Sequence, residues 1–513
     1  MDNRQSLLDT FDYVVVLMLE NRSFDNILGY LYPAGTQFDG VAGKDLKNPD
    51  ENGNPVPVSI GTDFHQPYPD PGEQFNDITA QLFSGVDTTG TPAMQGFVKN
   101  YFTVLSGLKK WCGSPADQSK VIMQCFAPSS IPVLSALATQ FAVFDQWFCA
   151  VPSQTWCNRA FWHAATSWGW VNNPRLSGDA PWDLDNWAVY SSTPTLFDLL
   201  ETKFGVGSWR VYEDLPVPFT KLIHWGDLKD KCGEDYFRYL EFDSPFYKNF
   251  FVDCAAGNLP KYSFVEPHFI NFLDDVLWHD DMHPSSFDSP LYSDGGPGSV
   301  LLGDRIVWKV YQAIRNSQST TGNNWQNTLL IITFDEHGGC YDHVPPPSPV
   351  TPPDKSKFNN NGIGQDGFGF DRLGVRVPMV MVSANIAANT IVSSPMHHCS
   401  FLQTMQQKWG LTSLGPRQDT APPFTEVFSS TSRGLDTFPD WPFYPGPSST
   451  LNTALMGQVD PSEVPLNDLQ KSIIEAIYKF YVHDPLSDAL SIDTAADAKL
   501  VLEVVEKLRH LKL

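Results

Sequence analysis

The chain has 513 residues, and its 58 acidic and 34 basic side chains give a formal net charge of -24 at pH 7. Nucleic acids and anionic membranes both attract basic surfaces, so this charge argues against either of them as a partner. Zwitterionic lipids and small soluble esters remain open as substrates.

The N-terminal region contains a single apolar run of strand length, at residues 13 to 19. A run this short predicts neither a signal peptide nor a transmembrane helix. We therefore expect a soluble protein with no transmembrane segment, either cytoplasmic or exported with its signal removed. The oligomeric state does not follow from the sequence.

The same run predicts a buried strand, and Glu20-Asn21-Arg22-Ser23-Phe24-Asp25 follows it directly. In an open α/β sheet, ligands bind at the carboxyl ends of the strands. Glu20 and Asn21 would offer oxygen atoms there. The alternative is ordinary capping of the next helix by Ser23 or Asp25.

The middle of the chain alternates predicted strands and helices. Strands are predicted at residues 141 to 147 and 377 to 383, and a helix from Val300 to Ile314. A further helix begins at Ser130-Ile131-Pro132, with Ser130 as its cap and Pro132 in its first turn. This alternation predicts an α/β fold, with a mostly parallel central sheet flanked by helices on both faces. Long stretches rich in Gly, Pro and Asn separate these elements, and we expect them to form the rim of a pocket: 33–76, 168–195, 345–369 and 415–450.

The most polar motif follows a predicted strand at residues 328 to 334. It reads Asp335-Glu336-His337-Gly338-Gly339-Cys340-Tyr341-Asp342-His343, and its glycine pair predicts a turn. The two leading acids are oxygen donors that would converge with Glu20 and Asn21, from adjacent strand ends, around a divalent cation. An acidic pair behind a strand can also be a helix cap or a solvated loop.

Residues 461 to 513 differ from the rest of the chain in composition. We expect them to form a helical appendage packed on a catalytic domain of residues 1 to 460. Two amphipathic helices are predicted at 465 to 482 and 494 to 512, the second capped by Thr494. Its apolar stripe consists of Leu500, Val501, Val504, Val505 and Leu508. The mixed charge of its polar face favours packing on the core over membrane binding.

Tryptophan and cysteine leave alternatives open. Several of the 15 tryptophans lie in predicted loops, where they could line an apolar or choline-binding groove or pack in the core: Trp168, Trp170, Trp182, Trp187, Trp225 and Trp278. The eight cysteines could form disulfides, for instance Cys112 with Cys125 or Cys232 with Cys254.

The polar motifs resemble those of the phosphoesterases that comprise bacterial acid phosphatases and phospholipases C, including the plant non-specific phospholipases C, in the alkaline phosphatase superfamily. The resemblance rests on the segments behind residues 19 and 334 and on two further stretches. One runs from Phe141 through Asp145, Trp147-Phe148 and Pro152 to Thr155 and Asn158-Arg159, and the other is Phe370-Asp371-Arg372-Leu373-Gly374-Val375-Arg376-Val377-Pro378. These motifs occur in family order from near residue 11 to near residue 440. The resemblance implies an alkaline-phosphatase-like fold.

By this resemblance, the family's metal ligands are matched by Glu20, Asn21, Asp335 and Glu336, and its nucleophile by Thr155. The implied cofactor is a divalent metal ion, for which calcium, magnesium or manganese suits the oxygen-rich shell somewhat better than zinc. Coordination to a cation is one of the few ways to activate a threonine hydroxyl near neutral pH. Its attack on phosphorus would give a phosphothreonine intermediate.

The resemblance also assigns a proton donor for the leaving group. His283, in Asp280-Asp281-Met282-His283-Pro284, is the first choice, and His337 is the second. We expect Asp280 and Asp281 to hold the His283 ring in its charged form.

Three further side chains would contact the substrate: Arg159, His343 and His398. Arg159 could instead brace the nucleophile loop by pairing with a carboxylate. Two positions depart from the family pattern. Trp156-Cys157 follows Thr155 where His-Pro is common, and Glu73 stands where a histidine is frequent.

The implied function is a metal-dependent phosphoester hydrolase of the phospholipase C type, which cleaves phosphatidylcholine-like lipids to diacylglycerol and a phospho-headgroup. Its partner would be a phospholipid or a small phosphoester, and not a nucleic acid. An acid phosphatase acting on soluble monoesters is the main alternative, and a catalytically silent binding protein is another. The sequence does not decide between a diester and a monoester substrate.

Overall fold

The computed structural model describes residues 3–511 without 86–87, 89, 110, 177, 242–247, 274–275, 287–297, 448–459 and 483–491. Sixteen β-strands occur in these described residues. These strands are β1 (Tyr13–Leu19), β2 (Lys47–Pro49), β3 (Pro55–Pro57), β4 (Ser59–Gly61), β5 (Gln124–Phe126), β6 (Ala142–Phe144), β7 (Trp147–Phe148), β8 (Trp209–Tyr212), β9 (Phe237–Arg238), β10 (Tyr262–Val265), β11 (Asn271–Leu273), β12 (Val276–Trp278), β13 (Thr328–Phe334), β14 (Met379–Val382), β15 (Thr390–Val392) and β16 (Met396–His397).

Eight of these strands form one central sheet, in the order β15-β6-β14-β13-β1-β10-β8-β9. β14 runs antiparallel to both of its neighbours, and the other neighbouring pairs are parallel. The remaining strands form two-stranded pairs: β2 with β3, β4 with β5, β7 with β16 and β11 with β12. The prediction of an α/β fold with a mostly parallel sheet is confirmed.

β1 and β13 form the centre of the sheet and have the predicted bounds. Both are continuous apolar runs, as expected for parallel strands that helices cover on both faces. They pair in parallel as far as Leu19 opposite Phe334. Glu20 and Asp335 therefore leave two adjacent strands at the same edge of the sheet, as predicted.

Seventeen α-helices occur in the described residues, and several of them flank the sheet. They are α1 (Asn3–Leu8), α2 (Phe24–Leu28), α3 (Phe75–Phe83), α4 (Phe97–Gly107), α5 (Pro115–Gln118), α6 (Pro132–Gln140), α7 (Thr155–Ala164), α8 (Leu184–Tyr190), α9 (Leu196–Phe204), α10 (Phe219–Ile223), α11 (Trp225–Leu228), α12 (Phe250–Ala256), α13 (Val300–Asn316), α14 (His398–Trp409), α15 (Pro416–Asp419), α16 (Asp468–Ile477) and α17 (Ala495–Leu511). A π-helical turn, Tyr478–Val482, follows α16. No helix in the described residues is both long enough and apolar enough to cross a bilayer.

α6 begins at Pro132 as predicted, but Ser130 is not its cap. Ile131 occupies the N-cap position, and its side chain offers no acceptor. The buried carboxylate of Asp304, in α13, instead accepts two amides of the first turn at 3.1 and 2.8 Å. A negative charge from a distant helix thus satisfies the amides that a local cap would otherwise bind.

The C-terminal segment contains α16 and α17 close to their predicted positions. Thr494 caps α17, because its hydroxyl accepts the Asp497 amide at 3.4 Å. The predicted stripe is wrong for Leu500, which is 64% exposed. Val501 and Val505 of the predicted stripe are buried, together with Ala495 and Ala498. The Leu508 side chain lies outside the described residues.

The sequence left open whether the cysteines form disulfides and whether the tryptophans line a groove or pack in the core, and the structure decides both questions. Neither suggested disulfide forms, because Cys112, Cys125, Cys232 and Cys254 are all free cysteines in the structure. Trp168 and Trp170 are buried in the core, and both pack edge to face against Trp187. These three rings therefore do not line an open groove.

Candidate active site

Asp335 and Glu336 follow β13 in a loop that packs against the end of β1. The Asp335 amide donates to the Leu19 carbonyl at 3.2 Å, and Asp335 Oδ1 accepts the Asn21 amide at 3.1 Å. Both acids are fully buried. The two strand ends are therefore bonded to each other, and this places the Asp335 carboxylate against Asn21.

The glycine pair behind these acids is required by this close packing. Gly338 and Gly339 have φ values of 58° and 68°, in the left-handed region. A Cβ atom at residue 338 would lie 2.2 Å from the Asn21 carbonyl oxygen, and one at residue 339 would lie 2.7 Å from the Gly72 carbonyl oxygen. Any side chain here would push the acid loop away from Asn21.

Asn21 links the acid loop to the other side chains of the site. Its φ of 50° is left-handed, which asparagine tolerates better than most residues. Its Nδ2 donates to the Glu73 carboxylate and lies 2.9 Å from His283 Nε2. Its Oδ1 accepts the Thr155 hydroxyl at 3.4 Å. One amide group thus contacts the predicted nucleophile and the predicted proton donor.

Thr155 is the first residue of α7 and is fully buried. Its Oγ1 donates to Glu20 Oε2 at 3.0 Å. The positive end of the helix dipole lies at this residue, where it favours a negative oxygen or a phosphate group. The structure therefore brings the predicted nucleophile into one cluster with the predicted metal ligands.

Arg159, one turn further along α7, holds Glu20. Its Nε donates to Glu20 Oε1 at 2.8 Å, and its Nη2 donates to the Met18 carbonyl at 2.9 Å. The guanidinium also lies 5.1 Å from the centroid of the Phe269 ring. These contacts favour the bracing role that the sequence left open, and a contact between Arg159 and substrate stays a prediction.

Two carboxylate oxygens of this cluster, Asp335 Oδ2 and Glu336 Oε1, are buried without a hydrogen-bond partner among the described residues. Burial raises the pKa of Glu336 well above its usual value, and the charge of Asp335 adds to this effect. Burial also raises the pKa of Glu20, although Arg159 opposes the change. A divalent cation would supply the missing positive charge, and a shell of oxygen atoms suits calcium, magnesium or manganese. These buried oxygens of Asp335 and Glu336 therefore fit such an ion, and the complete set of four ligands stays a prediction.

His283 is bonded through both ring nitrogens. Nε2 lies 2.9 Å from Asn21 Nδ2, and Nδ1 lies 2.8 Å from the Pro284 carbonyl oxygen. If Asn21 donates to Nε2, the ring proton resides on Nδ1 and is donated to that carbonyl. Burial lowers the pKa of His283 to about 4. The ring is therefore neutral near pH 7 in the structure.

The prediction that Asp280 and Asp281 keep the His283 ring charged is wrong. The charge of Asp281 raises the pKa of His283, but less than burial lowers it. The Asp281 carboxylate accepts from the His283 backbone amide at 2.9 Å and lies 2.7 Å from the His279 ring. Asp280 lies 3.1 Å from the ring of His268. Both carboxylates are thus oriented toward other histidine rings.

His337 and His398 both contact the acid loop. His337 Nε2 lies 2.9 Å from Gln81 Oε1, and Nδ1 lies 3.3 Å from Glu336. His398 Nε2 donates to the Asp335 carbonyl oxygen at 2.7 Å. Burial lowers the pKa of both rings, to about 3 for His337 and about 4 for His398. Proton transfer by His337 and substrate binding by His398 stay predictions.

His343 belongs to a separate ion-pair network. Its ring nitrogens lie 2.6 Å from Asp25 and 3.1 Å from Asp39, and Arg376 pairs with Asp25 at 2.9 Å. Burial lowers the pKa of His343, but the two carboxylates outweigh burial and raise it to about 9. No hydrogen bond within the described residues joins His343 to Thr155, so its contact with substrate stays a prediction.

Among the residues that the sequence analysis did not single out, Gln154, Asn467 and Asp468 also contact the site. Gln154 Nε2 donates to Glu73 Oε1 at 3.1 Å and to Asp468 Oδ2 at 2.7 Å. Asn467 Nδ2 lies 3.2 Å from His283 Nδ1. Gln154 directly precedes Thr155, and this position could have marked it as a site residue from the sequence. Nothing local to the sequence marks the other two, which lie far along the chain at the start of α16.

Similarity to known proteins covers most of the chain. The model of the phosphoesterase family matches residues 11–412. The chain is 33% identical over 438 residues to non-specific phospholipase C1 of Arabidopsis thaliana, which covers 81% of this chain and 70% of that relative. It is 26% identical over 447 residues to phospholipase C B of Mycobacterium tuberculosis, with 79% and 74% covered.

Among solved structures, one described as a protein in the alkaline phosphatase superfamily from Vibrio parahaemolyticus matches with a TM-score of 0.33 and 13% identity, over 58% of this chain and 65% of that one. Thr155 and the four predicted oxygen donors lie within the residues that the family model matches, whereas Asn467 and Asp468 lie beyond them.

Proposed function

Because this chain belongs to the phosphoesterase family and is a hydrolase of phosphoric ester bonds, we propose that it is a metal-dependent phospholipase C. It cleaves phosphatidylcholine-like lipids to diacylglycerol and a phospho-headgroup through a phosphothreonine intermediate at Thr155. Relatives from a plant and from a bacterium that are both named phospholipases C support the lipid substrate.

The observation that carries this proposal is the environment of Thr155. Its hydroxyl is buried at the N-terminus of α7, 3.0 Å from Glu20 and 3.4 Å from Asn21. The nearby acids Asp335 and Glu336 each have a buried oxygen without a hydrogen-bond partner among the described residues. A nucleophilic hydroxyl beside a set of cation ligands is the arrangement that phosphoryl transfer through a covalent intermediate requires.

In the first half of the reaction, Thr155 Oγ1 attacks phosphorus and the bond from phosphorus to the leaving oxygen breaks. Glu20 accepts the hydrogen bond of the hydroxyl and takes its proton as the new bond to phosphorus forms, while Arg159 holds Glu20 in place. When bound to the four oxygen donors, the cation lowers the pKa of the hydroxyl and neutralises charge on the phosphate oxygens. Water then hydrolyses the phosphothreonine and regenerates Thr155.

The departing alkoxide takes its proton from His283 in this proposal. The ring contacts Asn21, which also contacts Thr155, so it lies beside the reacting groups. Burial lowers the pKa of this ring to about 4, although the charge of Asp281 opposes the change. A negatively charged phosphoester next to the ring favours the protonated form, because opposite charges attract strongly in a buried site.

Product analysis tests the function. Phosphatidylcholine in mixed micelles is expected to yield diacylglycerol and phosphocholine, which chromatography separates from free phosphate. A chromogenic aryl phosphate is assayed beside it. Release of phosphate from the monoester without any diacylglycerol would identify an acid phosphatase instead, and no product from either ester would identify a silent binding protein.

Replacing His283 by Ala is expected to slow phosphatidylcholine cleavage by about 10² to 10⁴-fold, the usual contribution of a general acid. Hydrolysis of an aryl phosphate should fall far less, because a phenolate of low pKa departs without a proton. The ratio of the two kcat values measures this difference. Equal losses on both esters would mean that His283 binds phosphate or shapes its loop, and His337 would then be the better candidate.

A further inference from the structure

α16 is bonded to the nucleophile loop on both sides of Thr155. The Asp468 carboxylate accepts from Gln154 Nε2 at 2.7 Å, and Ser472 Oγ accepts from Trp156 Nε1 at 2.9 Å. Gln154 and Trp156 are the residues directly before and after Thr155. The helix therefore holds both chain neighbours of the nucleophile.

Trp156 is also a position at which this loop departs from the family pattern. The indole is fully buried and packs edge to face against Trp187 and Phe219, at centroid distances of 5.4 and 5.3 Å. Its N–H is the group that binds Ser472. The residue that differs from the family pattern, Trp156, is thus also one that hydrogen-bonds to α16.

Arg175 anchors the same helix to the segment that follows α7. Its guanidinium lies 2.7 Å from Asp468 and donates to both oxygens of Glu475, at 2.9 and 2.8 Å. Two parallel bonds to one carboxylate fix orientation as well as distance. The Asp468 carboxylate is therefore held in place while it accepts from Gln154.

Asn467, the cap of α16, contacts the predicted proton donor. Its Oδ1 accepts the Gln470 amide at 2.8 Å, and this leaves Nδ2 facing His283 Nδ1 at 3.2 Å. The Pro284 carbonyl oxygen lies 2.8 Å from the same ring nitrogen. Because Nδ1 carries the ring proton and donates it to Pro284, Asn467 Nδ2 packs against this edge and does not donate to it. The hydrogen bond to Pro284 and the packing of Asn467 together set the ring orientation in which Nε2 faces Asn21.

We propose that α16 and its cap form part of the catalytic centre, in which Asn467 positions His283 and Asp468 positions Gln154 and thereby Thr155. The inference rests on the proposed function, where His283 donates the proton and Thr155 attacks phosphorus. α16 lies beyond residues 11–412, so the family match does not assign it a role.

Asn467→Ser tests the positioning of His283, because serine caps a helix about as well as asparagine but lacks the amide nitrogen. We expect kcat for phosphatidylcholine to fall by about tenfold, with KM unchanged, since a displaced acid loses part of its contribution. Hydrolysis of the aryl phosphate should change by less than about twofold, because its leaving group needs no proton.

Asp468→Ala tests the positioning of the nucleophile. Turnover of both esters should fall together by about tenfold, and acid-quenched samples should show slower phosphoenzyme formation by the same factor. Asp468→Asn keeps an acceptor for Gln154 and should restore most of the rate. Lys471→Ala is the matched control on the same helix, since Lys471 pairs with Asp493 at 2.9 Å on the outer side, and it should leave both rates unchanged.

The inference is overturned if folded Asn467→Ser and Asp468→Ala retain wild-type kcat, or lose no more than Lys471→Ala. It is also overturned if Asn467→Ser slows both esters equally. Thermal unfolding of each variant identifies losses that come from instability. Wild-type protein assayed in parallel separates the role of α16 from the proposed function. If the wild type forms no diacylglycerol, the proposed function is contradicted. If the wild type forms diacylglycerol and the variants do so at the same rate, only the role of α16 is contradicted.

Discussion

Thr155→Ala is expected to abolish phosphoester turnover while the protein stays folded. The substitution removes the hydroxyl that donates a hydrogen bond to Glu20 at 3.0 Å. Loss of a covalent nucleophile reduces kcat by at least about a thousandfold in other hydrolases. Steady-state kinetics with both esters, together with thermal unfolding, measures the effect.

Thr155→Ser is the matched control, because it keeps a hydroxyl at the same position and should retain a large part of the activity. A folded Thr155→Ala variant with a near-normal rate would contradict the assignment. Ser153 and Ser167 would be the next hydroxyls to examine, although each already donates to a backbone carbonyl, at 2.5 and 2.7 Å.

Asp335→Asn is expected to remove the bound cation and most of the activity. The change deletes one negative charge from the cluster and keeps the shape of the side chain. Loss of a group that only supports a metal ligand costs about 10–100-fold in affinity or activity, so loss of a ligand itself should cost at least about a hundredfold. Elemental analysis of the purified protein and kcat before and after chelation provide the measurement.

Asp117→Asn is the control for this experiment, because its side chain is 82% exposed and pairs with Lys120 at 3.5 Å. It should bind metal like the wild type. If Asp335→Asn and exhaustive chelation both leave turnover intact, the metal hypothesis is wrong. Elemental analysis of the wild type also identifies the ion among calcium, magnesium, manganese and zinc.

The central sheet and the acid cluster could be predicted because they depend on local patterns. The apolar runs of β1 and β13 gave the observed bounds of both strands, since parallel strands buried on both faces are continuous apolar runs. The polar residues directly behind them then had to meet at one edge of the sheet. This rule alone predicts where Glu20, Asn21, Asp335 and Glu336 lie in the fold.

The features that could not be predicted depend on contacts between distant residues. Asp304 caps α6 from another helix. Asn467 is 184 residues from His283, and Asp468 is 314 residues from Gln154. No spacing or periodicity relates such pairs. Proximity in sequence also gave one wrong prediction. Asp281 is two residues from His283 and is predicted to interact with its ring, but it binds the ring of His279.

The position of β1 has a consequence for how the protein is made. This strand of seven apolar residues leaves the ribosome long before its partners in the sheet, which begin at Tyr262 and Thr328. At a synthesis rate of about 5–20 residues per second, the nascent strand waits roughly 10 to 50 seconds for the first of them. An unpaired apolar strand promotes aggregation during such an interval. The yield of folded protein should therefore rise when chaperones shield the growing chain.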